Sequence, residues 1–163
     1  MIKKVLLAYD GSEGSRIAAA YTVELARHYP ESEVTVLTVG GPLFGAAQAD
    51  RNIPHMNEHE YERLADEGLA LLADNGIRSH KVFRWVDPAD EILKEASQGN
   101  YDLIVMGHRS ATQSLRREAG MLGSVAIRVI NYAPCSVLVV RPGHEILEQI
   151  GPVDEEDILT VHR

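Results

Sequence analysis

Four short apolar runs, separated by stretches of helical periodicity, constrain this chain more than any other feature. The runs cover Val5 to Tyr9, Val34 to Val39, Leu103 to Met106 and Ser136 to Val140. Apolar runs of this length are typical of strands buried on both faces, as in parallel sheets. A fifth segment, residues 80–86, alternates partly and carries charged side chains, which is typical of an edge strand.

Helical patterns fill the intervals between the first three strands in the chain. The first pattern has Ile17, Tyr21 and Leu25 at four-residue spacing. The second has an apolar stripe over residues 61–72, followed by Gly76 at a C-terminal cap position. Each spacing places the apolar side chains on one face of a helix, so we expect both helices to pack on the sheet.

Two further helices are predicted from their ends. The third begins at Asp87-Pro88, where Asp can cap and Pro suits the first helical position, and it ends at Gly99. The fourth begins near Ser124 and stops before Pro134, because proline cannot continue a helix. Its predicted buried residues are Ala126, Val129 and Ile130.

The alternation of strands and helices predicts an α/β doubly wound domain with a five-stranded parallel sheet. Each crossover between parallel strands is right-handed and packs its helix on the sheet. With strand order 3-2-1-4-5, strands one and four are neighbours whose connections leave in opposite directions. Such a reversal opens a crevice beyond the carboxyl ends of the strands. We expect a ligand site in that crevice.

The net charge and the single cysteine limit which partners and which cellular compartment we expect. The chain carries 16 Lys and Arg against 24 Asp and Glu, a net charge of -8. Because this charge repels nucleic-acid phosphates and anionic membrane surfaces, we expect neither as a partner. The single Cys135 is predicted to be a buried core thiol. The first apolar run stops at Asp10, too short for a signal peptide, so we expect a cytoplasmic protein.

Polar and glycine residues follow the two strands that should border the crevice. Asp10 could accept hydrogen bonds from a ribose or an adenine, but Asp-Gly-Ser also forms a local Asx turn, and the two interpretations weigh equally. Gly107 and Gly123 would let backbone approach a phosphate, with Ser124 at the start of a helix. Gly107 could equally just end a strand, and Gly123-Ser124 could just cap a helix.

Other candidate groups point to binding rather than catalysis. Arg109, Arg116 and Arg117 make the connection after strand four positive, which would suit an anion. The pair His55 and His59 lacks a third ligand, so we expect no metal site. Walker, dinucleotide-binding, hydrolase and kinase motifs are absent, and no nucleophile, base and acid can be assembled from spacing. We therefore assign no catalytic residue.

Residues 2–141 resemble the universal stress protein family. Three ordered stretches carry the resemblance: residues 5–13 (VLLAYDGSE), residues 101–107 (YDLIVMG) and residues 123–141, which open with GSV and close with APCSVLVVR. The resemblance implies an adenine nucleotide alpha hydrolase-like fold over residues 1–141. Residues 142–163 would then be an acidic C-terminal tail.

The resemblance implies ATP binding, with Mg²⁺ as an accompanying ion, at the crevice. By position, the adenosine would contact the ends of strands one and two, and the phosphates would contact the end of strand four, the connection after it and the first turn of helix four. The implied residues are Ala8, Tyr9, Asp10, Val39, Met106, Gly107, Arg109, Ser110, Gly123, Ser124, Val125 and Ala126.

The chain departs from the family pattern Gly-x2-Gly-x9-Gly-Ser/Thr. Ser110 replaces the second glycine, and Gly123-Ser124 comes three residues late. Val86 also stands where relatives that bind nucleotide look to have glycine. These departures put ATP binding in question and leave the consequence of Val86 open.

Three functions follow, in order of preference. The first is a stress-response regulator that binds ATP without fast hydrolysis and forms a homodimer, implied by the resemblance, through antiparallel pairing of Val137 to Val140. The second is a dimeric interaction module that binds an unidentified protein and no nucleotide. It would act through its dimer surface, the connection at residues 40–57 or the tail. The third is a nucleotide-processing enzyme, although the signatures of such enzymes are absent after strand one.

Overall fold

The computed structural model shows a five-stranded sheet with helices on both faces. It describes residues 1–40, 58–108 and 122–141. In chain order its elements are β1 (Lys4–Ala8), α1 (Glu13–His28), β2 (Glu33–Gly40), α2 (Glu58–Ala73), β3 (Ser79–Trp85), α3 (Pro88–Gly99), β4 (Leu103–Gly107), α4 (Ser124–Tyr132) and β5 (Ser136–Val140). Every predicted strand and helix is present.

The strand order is β3-β2-β1-β4-β5, and all neighbouring strands are parallel. This confirms the doubly wound prediction. Leu6 of β1 lies between Thr35 of β2 and Ile104 of β4. After β1 the chain continues to β2 on one side, and after β4 it continues to β5 on the other, so the two connections leave in opposite directions. In open parallel sheets such a reversal places a crevice beyond the carboxyl ends of the two strands.

Asp102 ties the start of β1 to the start of β4. Its Oδ2 accepts hydrogen bonds from the backbone N–H of Lys3 at 2.8 Å and of Lys4 at 2.9 Å. The N–H of Asp102 in turn donates to the Lys4 carbonyl at 2.9 Å. The bonds from Lys4 and Lys3 lower the pKa of the Asp102 carboxyl, since they stabilise its charged form.

Two apolar clusters lie on opposite faces of the sheet. Helices α1 and α2 cover the first, which includes Val5, Leu7 and Ile17, and helices α3 and α4 cover the second, which includes Leu6 and Ile104. All five side chains are almost completely buried. Successive residues of β1 alternate between the clusters, so the strand is buried on both faces as its apolar run predicted.

Three burial predictions were wrong, the third of them in part. Ile130 of α4 is 45% exposed, and Leu138 of β5 is 36% exposed, so β5 is not buried on both faces. In the part of the chain that the structure describes, β5 is an edge strand paired with β4 alone, which leaves Leu138 less covered. Cys135, predicted to be buried, is only partly so, although it packs against the α3–α4 cluster.

The predicted ends of α3 are confirmed. The Oδ1 atom of Asp87 accepts a hydrogen bond from the Asp90 N–H at 2.9 Å, and Pro88 occupies the first turn. Asn100 ends the helix in the left-handed conformation, with φ of 52°. These local signals were sufficient because a cap depends on residues only a few positions apart.

Predictions about residues 41–57, 109–121 and 142–163 lie outside the described residues. They include Arg109, Ser110, Arg116, Arg117, His55 and the acidic tail. Among the described residues, no helix is both long and apolar enough to cross a membrane.

Val86 adopts a backbone conformation that favours glycine. Its φ is 101°, its side chain is largely exposed, and its N–H donates to the Gly40 carbonyl at 2.9 Å. A β-branched side chain at positive φ is strained against its own backbone. Valine in place of the glycine of relatives therefore strains the backbone at position 86.

We expect Val86→Gly to stabilise the protein by about 1 kcal/mol, because relief of backbone strain exceeds the extra entropy of glycine in the unfolded chain. Urea unfolding measures the difference. The control is Asn100→Gly, since asparagine tolerates positive φ and should change stability by less than about 0.5 kcal/mol. A loss of stability in Val86→Gly would contradict the strain at this position.

Candidate functional site

Hydrogen bonds among Asp10, Ser12 and Ser15 hold the turn from β1 into α1. The Oδ1 atom of Asp10 accepts from the Ser12 N–H at 3.0 Å and from the Ser12 hydroxyl at 2.5 Å. The Ser12 hydroxyl caps α1 by accepting from the Ser15 N–H at 3.2 Å. The Asx turn is therefore present, and a contact from Asp10 to a ribose or an adenine stays a prediction.

Gly107 lies against the first turn of α1. A Cβ atom at Gly107 would be 2.5 Å from the backbone carbonyl carbon of Gly14. No real Cβ atom tolerates that distance, so the absence of a side chain is what lets β4 and α1 approach so closely. Gly107 thus does more than end its strand, because it allows the first turn of α1 to pack directly on the end of β4.

The two ends of the connection after β4 meet at the same edge. The Gly123 N–H donates to the His108 carbonyl at 2.8 Å, and the His108 N–H donates to the Val140 carbonyl at 2.9 Å. Gly123 is the N-cap of α4, has no side-chain cap bond, and precedes a first turn without acidic residues. The positive end of the α4 dipole is therefore not neutralised by an acid of its own first turn.

Five of the ten predicted site residues that the structure describes share one face of the sheet. They end β1, β2 and β4 or lie in the first turn of α4, and they belong to or pack against the α3–α4 cluster. These residues are Ala8, Val39, Met106, Val125 and Ala126. Met106 and Ala126 are almost completely buried, so their side chains pack beneath the predicted site and are not exposed to contact a ligand. Arg109 and Ser110 lie outside the described residues.

Tyr9 differs from its neighbours because its side chain belongs to the opposite cluster. It is 2% exposed, and its hydroxyl donates to Oε1 of Glu67 at 2.5 Å. Burial, together with the hydrogen bond to Glu67, raises the pKa of Tyr9. The Tyr9 side chain therefore packs and bonds against α2, so the predicted adenosine contact at this position would involve only the Tyr9 backbone.

Arg16 completes this contact from α1. Its Nε donates to the same Glu67 oxygen at 2.8 Å. Burial alone would lower the pKa of Arg16, but the interactions with Glu67 and Tyr9 raise it overall. Sequence reasoning missed Arg16, Glu67 and Gly14, and only a glycine in the first turn of a predicted helix hinted at a close contact.

A second arginine is paired on the other face. Arg128 of α4 donates to Oδ1 of Asp87 at 2.8 Å and also bonds Asp90, both at the start of α3. Its charge is therefore compensated by two carboxylates. Arg16 and Arg128 are therefore both engaged by acidic side chains.

Metal and thiol chemistry find no support in the part of the chain that the structure describes. No group of three His, Cys, Asp or Glu side chains there is placed to hold a metal ion. His59, one of the paired histidines, is largely exposed and lies near Glu62. Burial raises the pKa of the Cys135 thiol, which leaves it protonated and poorly nucleophilic.

Comparison with known protein families shows which family has this sequence pattern. The model of the universal stress protein family matches residues 1–141. This chain belongs to the universal stress protein family. A universal stress protein of Bacillus subtilis is 32% identical over 152 residues, which cover 86% of this chain and 100% of that protein.

Solved universal stress proteins share the fold. The protein UspA from Lactobacillus plantarum superposes with a TM-score of 0.70 at 23% identity, over 86% of this chain and 98% of that one. A family protein from Arabidopsis thaliana, solved with AMP bound, superposes with a TM-score of 0.63 at 17% identity. That comparison covers 95% of this chain and 99% of the Arabidopsis chain.

In this universal stress protein, Gly107→Ala should lower the free energy of unfolding by about 1–3 kcal/mol, because the added methyl group forces α1 away from β4. Chemical denaturation measures the change. Ala126→Gly on the other face should also cost about 1 kcal/mol, the usual cost of glycine inside a helix, and it calibrates the size of the Gly107→Ala effect while α1 stays in place. Equal stability of Gly107→Ala and the parent protein would contradict the close packing on Gly14.

Proposed function

We propose that this universal stress protein binds an adenine nucleotide, ATP in particular, at the crevice between β1 and β4. The observation that carries the proposal is the hydrogen bond from the Gly123 N–H to the His108 carbonyl. It brings the start of α4 beside Gly107, so the two glycines predicted from distant segments lie at one site. Backbone without side chains and a helix N-terminus together suit a phosphate group.

Electrostatics favour α4 over α1 as the phosphate-binding helix. The first turn of α1 contains Glu13 and is capped by the Ser12 hydroxyl, whereas α4 has neither an acid in its first turn nor a side-chain cap bond. An anion would therefore be repelled less at α4. Phosphates there would be held by backbone N–H groups, Ser124 and the predicted Arg109.

The adenosine would lie over the ends of β1 and β2. Ala8 and Val39 end these strands on the α3–α4 face and are only partly buried, so they offer apolar surface for a base. Asp10, also partly buried, is the candidate for the ribose. The AMP bound to the Arabidopsis relative supports an adenine nucleotide as the ligand class.

The ligand would act by shifting conformational populations rather than by being consumed. No general base for attacking water is identified among the described residues at the crevice, and Asp10 is engaged in its turn. We expect any hydrolysis of ATP, with Mg²⁺ present, to be slow. A turnover near 10 per second, ordinary for enzymes, would overturn this part of the proposal.

Nucleotide content and titration test the proposed site. The protein is purified without added nucleotide, denatured, and analysed for released small molecules by mass spectrometry, and ATP, ADP and AMP are then titrated calorimetrically into emptied protein. We expect binding that Gly123→Val abolishes and Asp10→Asn weakens about tenfold, since a bond to a charged group is lost. Asp66→Asn on the surface of α2 is the control. An empty protein with no titration heat would leave partner binding as the function.

Among the described residues, only β4 pairs with β5, and this edge position favours a homodimer, which we include in the proposal. Edge strands are normally protected by charge or proline, but residues Ser136–Val140 contain neither. The other edge strand, β3, carries Lys81 and Arg84. Antiparallel pairing of Val137 to Val140 with a second copy would cover the exposed Leu138 and satisfy the edge backbone groups.

We expect Leu138→Lys to convert the dimer to a monomer, because it places two charges in a small apolar interface. Analytical ultracentrifugation over a concentration series measures the mass. Trp85→Lys is the matched control, since Trp85 is 38% exposed at the opposite edge, against 36% for Leu138. A parent protein that sediments as a monomer throughout would overturn the dimer.

A further inference from the structure

The contact of Glu67 with Tyr9 and Arg16 joins three elements at one oxygen atom. Oε1 of Glu67 accepts from the Tyr9 hydroxyl at 2.5 Å and from Nε of Arg16 at 2.8 Å. Tyr9 directly follows β1, Arg16 lies in the first turns of α1, and Glu67 lies in α2. A single carboxylate thus holds both segments that flank the Asp10 turn.

Packing fixes the Tyr9 ring in this contact. A Cβ atom at Gly68 would be 2.8 Å from the Tyr9 ring, so the backbone of α2 lies directly against it. The ring cannot swing away without displacing α2, and its hydroxyl is held at Glu67. The Tyr9 side chain is buried, and that of Arg16 is 17% exposed, so solvent competes little for the two donors, whereas their shared acceptor Glu67 stays partly accessible.

The same contact reaches the phosphate side of the crevice through α1. Arg16 is two residues beyond Gly14, whose backbone lies against Gly107. A shift of the first turn of α1 would therefore move both the Asp10 turn and the packing on Gly107. Glu67 itself belongs to α2, which contributes no residue to the candidate site.

We propose that Glu67 is a positioning residue for nucleotide binding, acting through Tyr9 and Arg16 on the β1–α1 turn. The inference rests on the proposed adenine-nucleotide function. Glu67 is half-exposed, with 37% of its side chain accessible, so a carboxylate at the protein surface sets the geometry of a crevice that it does not enter. Through Glu67, a movement of α2 would change the position of the β1–α1 turn and therefore the affinity for the nucleotide.

The neighbouring Asp66 supplies a matched control. It also lies on α2 and also forms an ion pair, but its partner is Lys81 on β3, away from the crevice. Asp66→Asn and Glu67→Gln remove the same charge from adjacent positions of one helix. Only the second change reaches the β1–α1 turn.

Calorimetric titration of AMP tests the proposal on the full chain. We expect Glu67→Gln and Tyr9→Phe each to weaken AMP binding about five- to tenfold, and Asp66→Asn to change it less than about twofold. Tyr9→Phe keeps the ring against Gly68 and removes only the hydroxyl. The double variant should bind no more weakly than Glu67→Gln, because both changes break one contact.

Amide hydrogen exchange without ligand separates positioning from general stability. In Glu67→Gln, amides of residues 10–15 should exchange faster while those of Val5, Leu6 and Leu7 keep the parent rates. Faster exchange in both sets, or unchanged AMP affinity in both single variants, would overturn the positioning role. If the parent protein fails to bind AMP, the proposed function fails instead, and exchange at residues 10–15 still decides whether Glu67 holds the turn.

Discussion

Parallel pairing of β1 with β4 is the contact on which the rest of this structure depends. The two strands meet through Val5, Leu6 and Leu7, and Asp102 joins their starts by accepting two backbone N–H groups. The connection after β1 runs to α1 on one face, and that after β4 runs to α4 on the other. The crevice exists because these two connections diverge from adjacent strands.

Close backbone contact holds the end of β4 against the first turn of α1. Gly107 and Gly14 allow β4 and α1 to touch, while Glu67 holds α1 and the end of β1 from outside. Arg16 of α1 and Arg128 of α4 each form an ion pair with a carboxylate. An anion in the crevice would therefore meet backbone N–H groups and the dipole of α4 rather than these two side chains, in a protein of net charge -8.

The two edges of the sheet differ in a way that bears on assembly. Strand β3 ends the sheet on one side with charged residues, among them Lys81 and Arg84, which make ion pairs to helices. Strand β5 ends it on the other side with an uncharged apolar sequence, beside the exposed Ile127 and Ile130 of α4. Solvated charge discourages strand pairing at β3, whereas nothing in the sequence of β5 does.

Local chemistry allowed the sequence by itself to determine the strands, the helices and the two ends of the site. The apolar runs, the Asp87-Pro88 cap and the glycines at 107 and 123 act over a few residues, so they can be recognised without a structure. The strand order was assumed rather than derived, because right-handed crossovers allow several orders, and the structure confirms it. The predicted site residues that the structure describes lie at the ends of strands or at the start of α4, and their role in binding stays a prediction.

Tertiary structure alone decided which distant groups meet. Tyr9 and Glu67 are 58 residues apart, so no spacing predicts their bond or turns the Tyr9 side chain away from the crevice. Ile130 fits a helical stripe but stays exposed, because burial depends on whether a neighbour covers that side of α4. The strain at Val86 likewise follows from the path that the backbone takes between β3 and α3, which the residue type does not reveal.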